Sequence, residues 1–165
     1  MPTDPDRIAT DQHPKDRQDI RKECLSLINA TRTLTLSTGG TNPWAAPVYY
    51  LYRAACFFFF SSPRSRHIVN GAGKTCAASL FEDSRDVTRL RGIQMSGRIE
   101  PCPADPDTIR AAGAYARRFG IQAVGANPID FFKTHYRARP YRFVPDDIYY
   151  MDNRRGFAQR AKIEL

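Results

Sequence analysis

The sequence predicts a mainly β protein, a small β-barrel with peripheral helices. Three observations carry that prediction. Short runs rich in β-branched and aromatic residues recur between turn residues, beginning with the strictly alternating TLTLST at 33–38. Segments of helical period are few and sit at the start and late in the chain, not between successive strands. The longest strand-like run, LRGIQMSGRIEPC at 90–102, contains Gly92 and Gly97, which suit the bends or bulge of a barrel corner.

In chain order, residues 1–16 hold three prolines and many charges and are expected to form a mobile N-terminal arm, leaving 17–165 as one domain. Residues 17–30 place Ile20, Cys24, Leu27 and Ile28 at helical spacing. Thr33–Thr38 then alternates as a strand and leaves through Gly39-Gly40. Further strands are expected at Val48–Tyr52, Cys56–Ser61 and Thr75–Phe81, the first two of these joined by a turn at Arg53–Ala55. EDSRDVTR at 82–89 reads as a polar loop before the long 90–102 strand. Asp105 or Asp107 caps a helix running to about Phe119, with Ile109, Ala112, Tyr115 and Ala116 on one stripe. Asn127-Pro128, a cap residue followed by proline at the first helical position, opens a shorter helix carrying Ile129, Phe131 and Phe132. Two closing strands, Tyr141–Val144 and Asp147–Met151, are expected on either side of Pro145-Asp146.

The 165 residues suffice for one core, and 42% hydrophobic with 25% charged residues is the composition of a globular protein. Apolar runs are too short for a helical membrane span, and the N-terminus lacks the basic start and apolar stretch of a secretory signal, so the cytoplasm is the expected location. Cys24, Cys56, Cys76 and Cys102 lack metal-ligand spacing and read as reduced core thiols. The net charge of +8 raises nucleic acid as a partner, but the basic residues are scattered among acidic ones and form no recognition motif, so no specific nucleic acid is expected.

One stretch stands apart. CFFFFSSPRSRHIVNGAG at 56–73 runs four phenylalanines into serines, arginines and a histidine with no carboxylate. Phe57–Phe60 cannot alternate between core and water, so the strand is expected to be buried on both faces or covered by a partner. Together with Tyr49–Tyr52, this aromatic surplus predicts a homodimer. A loop of hydroxyls and guanidiniums suits a phosphate whose organic part lies along the strand. The plainer reading is a solvated turn that caps a short helix, with Ser62 or Ser65 as N-cap. His135, near the end of a helix, suits its dipole better than it suits a metal.

From TLTLST through NPWAAPVYYLY, CFFFFSSPRSRHIVN, TCAASLF and RLRGIQMSGRIEPC to YRFVPDDIYYMDNRRGF, the order of segments resembles the pyridoxamine 5′-phosphate oxidase-like, FMN-binding split-barrel superfamily. Over residues 20–160 it is most similar to a small bacterial branch marked by Arg91-Gly92-Ile93-Gln94 and by Asp152-Asn153 followed by Gly156-Phe157. The resemblance implies a homodimer of six-stranded split barrels with an FMN in each of two clefts between subunits. The family's serine-arginine-lysine triplet, which grips the FMN phosphate, falls on Ser65, Arg66 and His67, with Ser61, Ser62 and Arg64 beside it. Phe60 would wall the flavin, and the edge Ala46, Pro47, Val48 would offer backbone hydrogen bonds to its ring. Three departures stand out: His67 for the lysine, Ala46 for a phosphate-binding arginine, and Gly92 for a glutamine that Gln94 on the same strand face would replace. The basic residues that hold the vitamin's phosphate have only Arg155 and Arg160 as loose counterparts.

The expectation is therefore an FMN-dependent oxidoreductase acting with a small-molecule electron donor or acceptor, and not a pyridoxamine phosphate oxidase. A flavin carrier or sensor, a haem-binding barrel with His67 or His135 as axial ligand, and a cofactor-free structural dimer are the alternatives.

Overall fold

The computed structural model describes residues 14–122, 127–157 and 159–165. Most of the expected arm falls outside the described residues. Helix α1 (Pro14–Ala30) begins before Arg17, where the sequence places its start. There follow β1 (Thr33–Thr38), β2 (Trp44–Tyr49), β3 (Leu51–Arg53), β4 (Cys56–Ser61), α2 (Arg66–Gly71), β5 (Thr75–Glu82), β6 (Arg91–Pro101), α3 (Pro106–Arg118), α4 (Pro128–Tyr136), β7 (Arg139–Asp152) and β8 (Arg160–Lys162).

The described strands form one antiparallel sheet in the order β2-β1-β5-β6-β7-β4-β3, with β8 added beside β7. Its two end strands, β2 and β3, are separated in the chain by Tyr50 alone. One short stretch of backbone thus supplies both ends of the sheet, which forces the sheet to curl until its ends meet. Tyr50 is fully buried at that corner, its hydroxyl 2.6 Å from the Ile28 carbonyl and 2.7 Å from Thr31 Oγ1.

Eight strands stand among the described residues, where the resemblance implies six and the segment reading gives seven. The second strand breaks at Tyr50 instead of running from Val48 to Tyr52, and Arg160–Lys162 adds a short strand that the sequence did not suggest. The closing pair of strands is one continuous strand, β7. Its Pro145 is accommodated by a bulge: opposite Ser96 and Gly97 of β6 the pairing passes from Asp147 to Pro145 and leaves Asp146 as the extra residue of β7. A Cβ on Gly97 would lie 2.2 Å from the Val144 carbonyl oxygen, so the bulge requires glycine there. Gly92 makes no such demand: its register is continuous, and an added Cβ would find only ordinary contacts.

Phe57 and Phe59 point into the barrel, where they join Ile20, Cys24, Leu27 and Ile28 of α1, with Leu34, Leu36, Ile93, Ile99 and Phe143 of the strands. Phe58 and Phe60 point the other way, against Ala112, Tyr115 and Ala116 of α3 and Phe132 of α4. The strand is buried on both faces, as expected, but by elements of its own chain. The partner subunit invoked to cover these aromatics is not needed for that purpose. Helix α1 is held at its C-terminal end by Arg118, which donates to the carbonyls of Asn29 (3.0 Å) and Thr31 (2.7 Å).

Candidate functional site

The candidate site lies where β4 runs out into α2. Ser61 is the last residue of β4, and its side chain shares the inward face with Phe57 and Phe59. The chain turns through Ser62-Pro63 and enters α2 at Arg66, with Ser65 in the N-cap position. Ile68 and Gly71 seat this short helix on the barrel end: an added Cβ at Gly71 would stand 2.7 Å from Thr38 Cγ2. The plainer sequence reading of a short helix after the serines is thus correct for the backbone. Ser65 does not cap with its side chain, which turns back instead.

That backward turn sets the direction of every hydroxyl in the loop. Ser65 donates its proton to the Ser62 carbonyl at 2.7 Å. A serine has one such proton, so the 2.7 Å contact between Ser61 and Ser65 requires Ser61 as donor. Ser61 has then spent its own, and the 2.9 Å contact with His67 requires Nε2–H of the imidazole as donor. Burial lowers the pKa of His67, which suits a neutral ring carrying its proton on Nε2. The chain His67 to Ser61 to Ser65 to the Ser62 carbonyl is therefore self-consistent in one direction only. Ser61 and Ser65, expected to donate to a phosphate, have their protons engaged within the protein, and His67 is the internal donor in place of a cation.

The cations lie around this frame. Arg66 is exposed, and its guanidinium carbon lies 4.4 Å from the centre of the Trp44 ring at the start of β2. Arg64 is exposed on the same loop. Arg139, which the sequence reading did not single out, pairs with Ser61 in the β4–β7 ladder and so shares its face. Arg91, Arg98, Arg110, Arg142, Arg154 and Arg155 all pair with carboxylates. Among the described residues Arg64, Arg66 and Arg139 have no such partner, a property they share with arginines elsewhere on the surface such as Arg32, Arg53 and Arg137. Three guanidiniums beside a polar loop free of acids form a donor set that fits a phosphate.

The other expected site residues fall elsewhere. Ala46, Pro47 and Val48 lie on β2, at the end of the hydrogen-bonded order, where one strand edge carries no ladder among the described residues. Phe60 faces away from Ser61, stacked on Phe132 at 3.8 Å between ring centres. Gln94 projects from the outer face of β6, paired with Ser79 and Tyr149, and not beside the loop. Arg155 pairs with Glu23 of α1 at 3.2 Å and, with Arg160, lines a cavity of about 30 Å³ beside Asp152. The Asp152-Asn153 motif is structural here. Asp152 is buried; burial pushes its pKa up, but hydrogen bonds from Arg154 outweigh that and hold it below the usual carboxylate value. Asn153 donates to the Val87 carbonyl at 2.7 Å. His135 is exposed, stacked on Phe131 in the last turn of α4. No cluster of metal-ligating side chains exists among the described residues, and no described helix is long and apolar enough to cross a membrane.

A curled antiparallel sheet plugged by helices is the split-barrel fold of the pyridoxamine 5′-phosphate oxidase-like proteins, and this chain has that fold. No family model matches the sequence. Among curated proteins it is 26% identical over 122 residues to the UPF0306 protein YhbP of Salmonella arizonae, spanning 72% of this chain and 75% of that one. Among solved structures, the conserved hypothetical protein Rv2991 from Mycobacterium tuberculosis superposes with a TM-score of 0.64 at 19% identity, over 81% of this chain and 84% of the other. A FAD-binding protein from Mesorhizobium loti gives 0.55 at 18% identity, over 77% and 90%. HutZ, the haem storage protein from Vibrio cholerae, gives 0.61 at 14% identity, over 77% and 90%.

Proposed function

We propose that the protein binds FMN, with the phosphate at the loop from Ser61 to His67, and serves a flavin-dependent redox reaction of a small molecule. The observation that carries this reading is the composition of one place: Arg64 and Arg66 on the loop and Arg139 in register with Ser61 form no ion pair among the described residues, and the loop itself contains no acid. Unpaired guanidiniums gathered at one place suit a dianionic ligand. Tyr50 N–H donates to the Arg32 carbonyl, so by the antiparallel alternation Ala46 and Val48 turn their backbone groups to β1, and the free edge of β2 offers those of Ala45, Pro47 and Tyr49 to the polar rim of a flat ring, Pro47 giving a carbonyl and no N–H. When bound, the flavin supplies the two-electron chemistry. The residues of this chain hold its phosphate and exclude water from one side of it.

The working unit is a homodimer. The cross-sheet rows Pro47–Thr35–Ser79–Gln94 and Ala45–Ser37–Ala77–Ser96 lie on the outer face of β2, β1, β5 and β6. None of these eight residues is charged, in a chain with 25 basic and 17 acidic residues. A face whose central rows carry small and uncharged side chains suits a second copy of itself better than it suits water. It also contains Gln94, so a cleft closed by a partner would bring that side chain to a ligand that the loop alone does not reach.

The absorption spectrum of the purified protein tests the reading. Flavin bands, or their appearance after loading with FMN and removal of the excess, support it. A Soret band would point to haem, consistent with a haem storage protein among the structural relatives. Within this chain the Nε2–H of His67 is already donated to Ser61, which leaves that nitrogen without a lone pair for iron.

A further inference from the structure

The chain has a single tryptophan, Trp44, and it is the ring on which Arg66 lies. We propose that Trp44 is a positioning residue of the anion site: its ring fixes the plane of the Arg66 guanidinium so that the N–H edge is presented to a phosphate monoester. This rests on the phosphate-binding reading of the loop and deepens it.

Both partners are held by rigid elements. Trp44 is in ladder register with Thr38 of β1, and the Thr38 hydroxyl donates to the Trp44 carbonyl at 3.4 Å. Arg66 begins α2, whose Gly71 sits directly against the Thr38 side chain, and whose Asn70 donates to the Asn42 carbonyl at 3.3 Å. The two sides of the stack are therefore tied to the same residue, Thr38, by independent contacts. A guanidinium lying on an aromatic face uses its own flat face for that contact and keeps its N–H donors in the plane, available to acceptors. An exposed arginine without such a surface spreads over many rotamers, and binding must then order it. Trp44 itself is 43% exposed. The bland account, that the ring merely fills a gap under α2, does not need the cation.

The test measures FMN and riboflavin affinity by flavin fluorescence for the wild type, Trp44→Phe, Trp44→Leu, Arg66→Ala and the Trp44→Leu/Arg66→Ala double variant. Trp44→Leu is expected to bind FMN about fivefold more weakly and riboflavin as the wild type does, whereas Trp44→Phe, which keeps an aromatic face, recovers most of the loss. In the Arg66→Ala background, Trp44→Leu should change FMN affinity no further, because the two act as a unit. Without any ligand, Arg66→Ala should make the Trp44 emission more readily quenched by acrylamide, which reports the stack by itself. Wild-type protein that does not bind FMN removes the reading of the loop, and the proposal with it. FMN binding by wild type with equal affinity in Trp44→Leu overturns the proposal alone. So does a loss shared by riboflavin, or one that persists in the Arg66→Ala background.

Discussion

At the scale of single residues, the loop separates two tasks that a reading of residue types merges. Ser61, Ser65 and His67 hold one another, and the proposed site leaves the ligand to the arginines. His67 therefore contributes to folding in a way that titrates. Its folded pKa is depressed by burial below the ordinary 6.5. Between those two values the unfolded chain binds more protons, so stability rises with pH. The contribution is complete above about pH 6.5 and is lost as pH falls from there toward the folded value. His67→Gln keeps an amide donor for Ser61 but does not titrate. Denaturant unfolding at a series of pH values from about 5 to 8 should show a shallower decline in this variant than in wild type. Parallel curves would mean that His67 is not buried in its neutral form.

At the scale of elements, the bulge of β7 at Asp146 shows how a distant residue decides local structure. Pro145 looks like the end of a strand, yet β7 passes through it because Gly97 of the facing strand leaves room for the backbone of Val144 and Pro145 beside the bulge. Gly97→Ala forces a methyl group against the Val144 carbonyl and the Pro145 backbone and is expected to destabilise by about 3 kcal/mol. Gly92→Ala, with room for its methyl, should lie within about 1 kcal/mol of wild type. Thermal or denaturant unfolding of both variants checks this, and equal stabilities would refute the bulge as drawn. The same contrast explains what the sequence made legible. TLTLST, the aromatic run and the two late helices were readable because alternation and capping are local signals. The continuity of β7 was not, since it depends on Gly97 in another strand. Helix α2 and β8 are too short to show a period. In the site, Arg66 and the serines were visible from their residue types. The inward and outward phases within FFFF were not visible, because a strand buried on both faces carries no alternation, and so Phe60 was assigned to the ligand while it packs on α4. The stack of Arg66 on Trp44 joins residues brought together only by the seating of α2 on β1 and β2.

At the scale of the whole molecule, each chain covers its own phenylalanine run while Tyr49 stays exposed, so the proposed dimer rests on the uncharged outer sheet face and not on that run. Ser79→Glu, at the middle of that face, should convert a dimer to a folded monomer, since symmetry would place two buried carboxylates close together. Light scattering at micromolar concentration, with circular dichroism to confirm folding, checks the mass; a dimer that persists would move the interface elsewhere. The central claim, that this barrel end holds the phosphate of a flavin, is tested most directly by titrating FMN and riboflavin into wild type, Arg66→Ala and Arg110→Ala. Arg110 is a fair control, being a helix-surface arginine that pairs with Asp107 of its own turn. Arg66→Ala removes a charge-assisted contact worth about 2 kcal/mol, or about thirtyfold in FMN affinity, and leaves riboflavin binding unchanged. Arg110→Ala changes neither. Equal FMN affinity in wild type and Arg66→Ala, or a loss shared equally by riboflavin, would contradict the account.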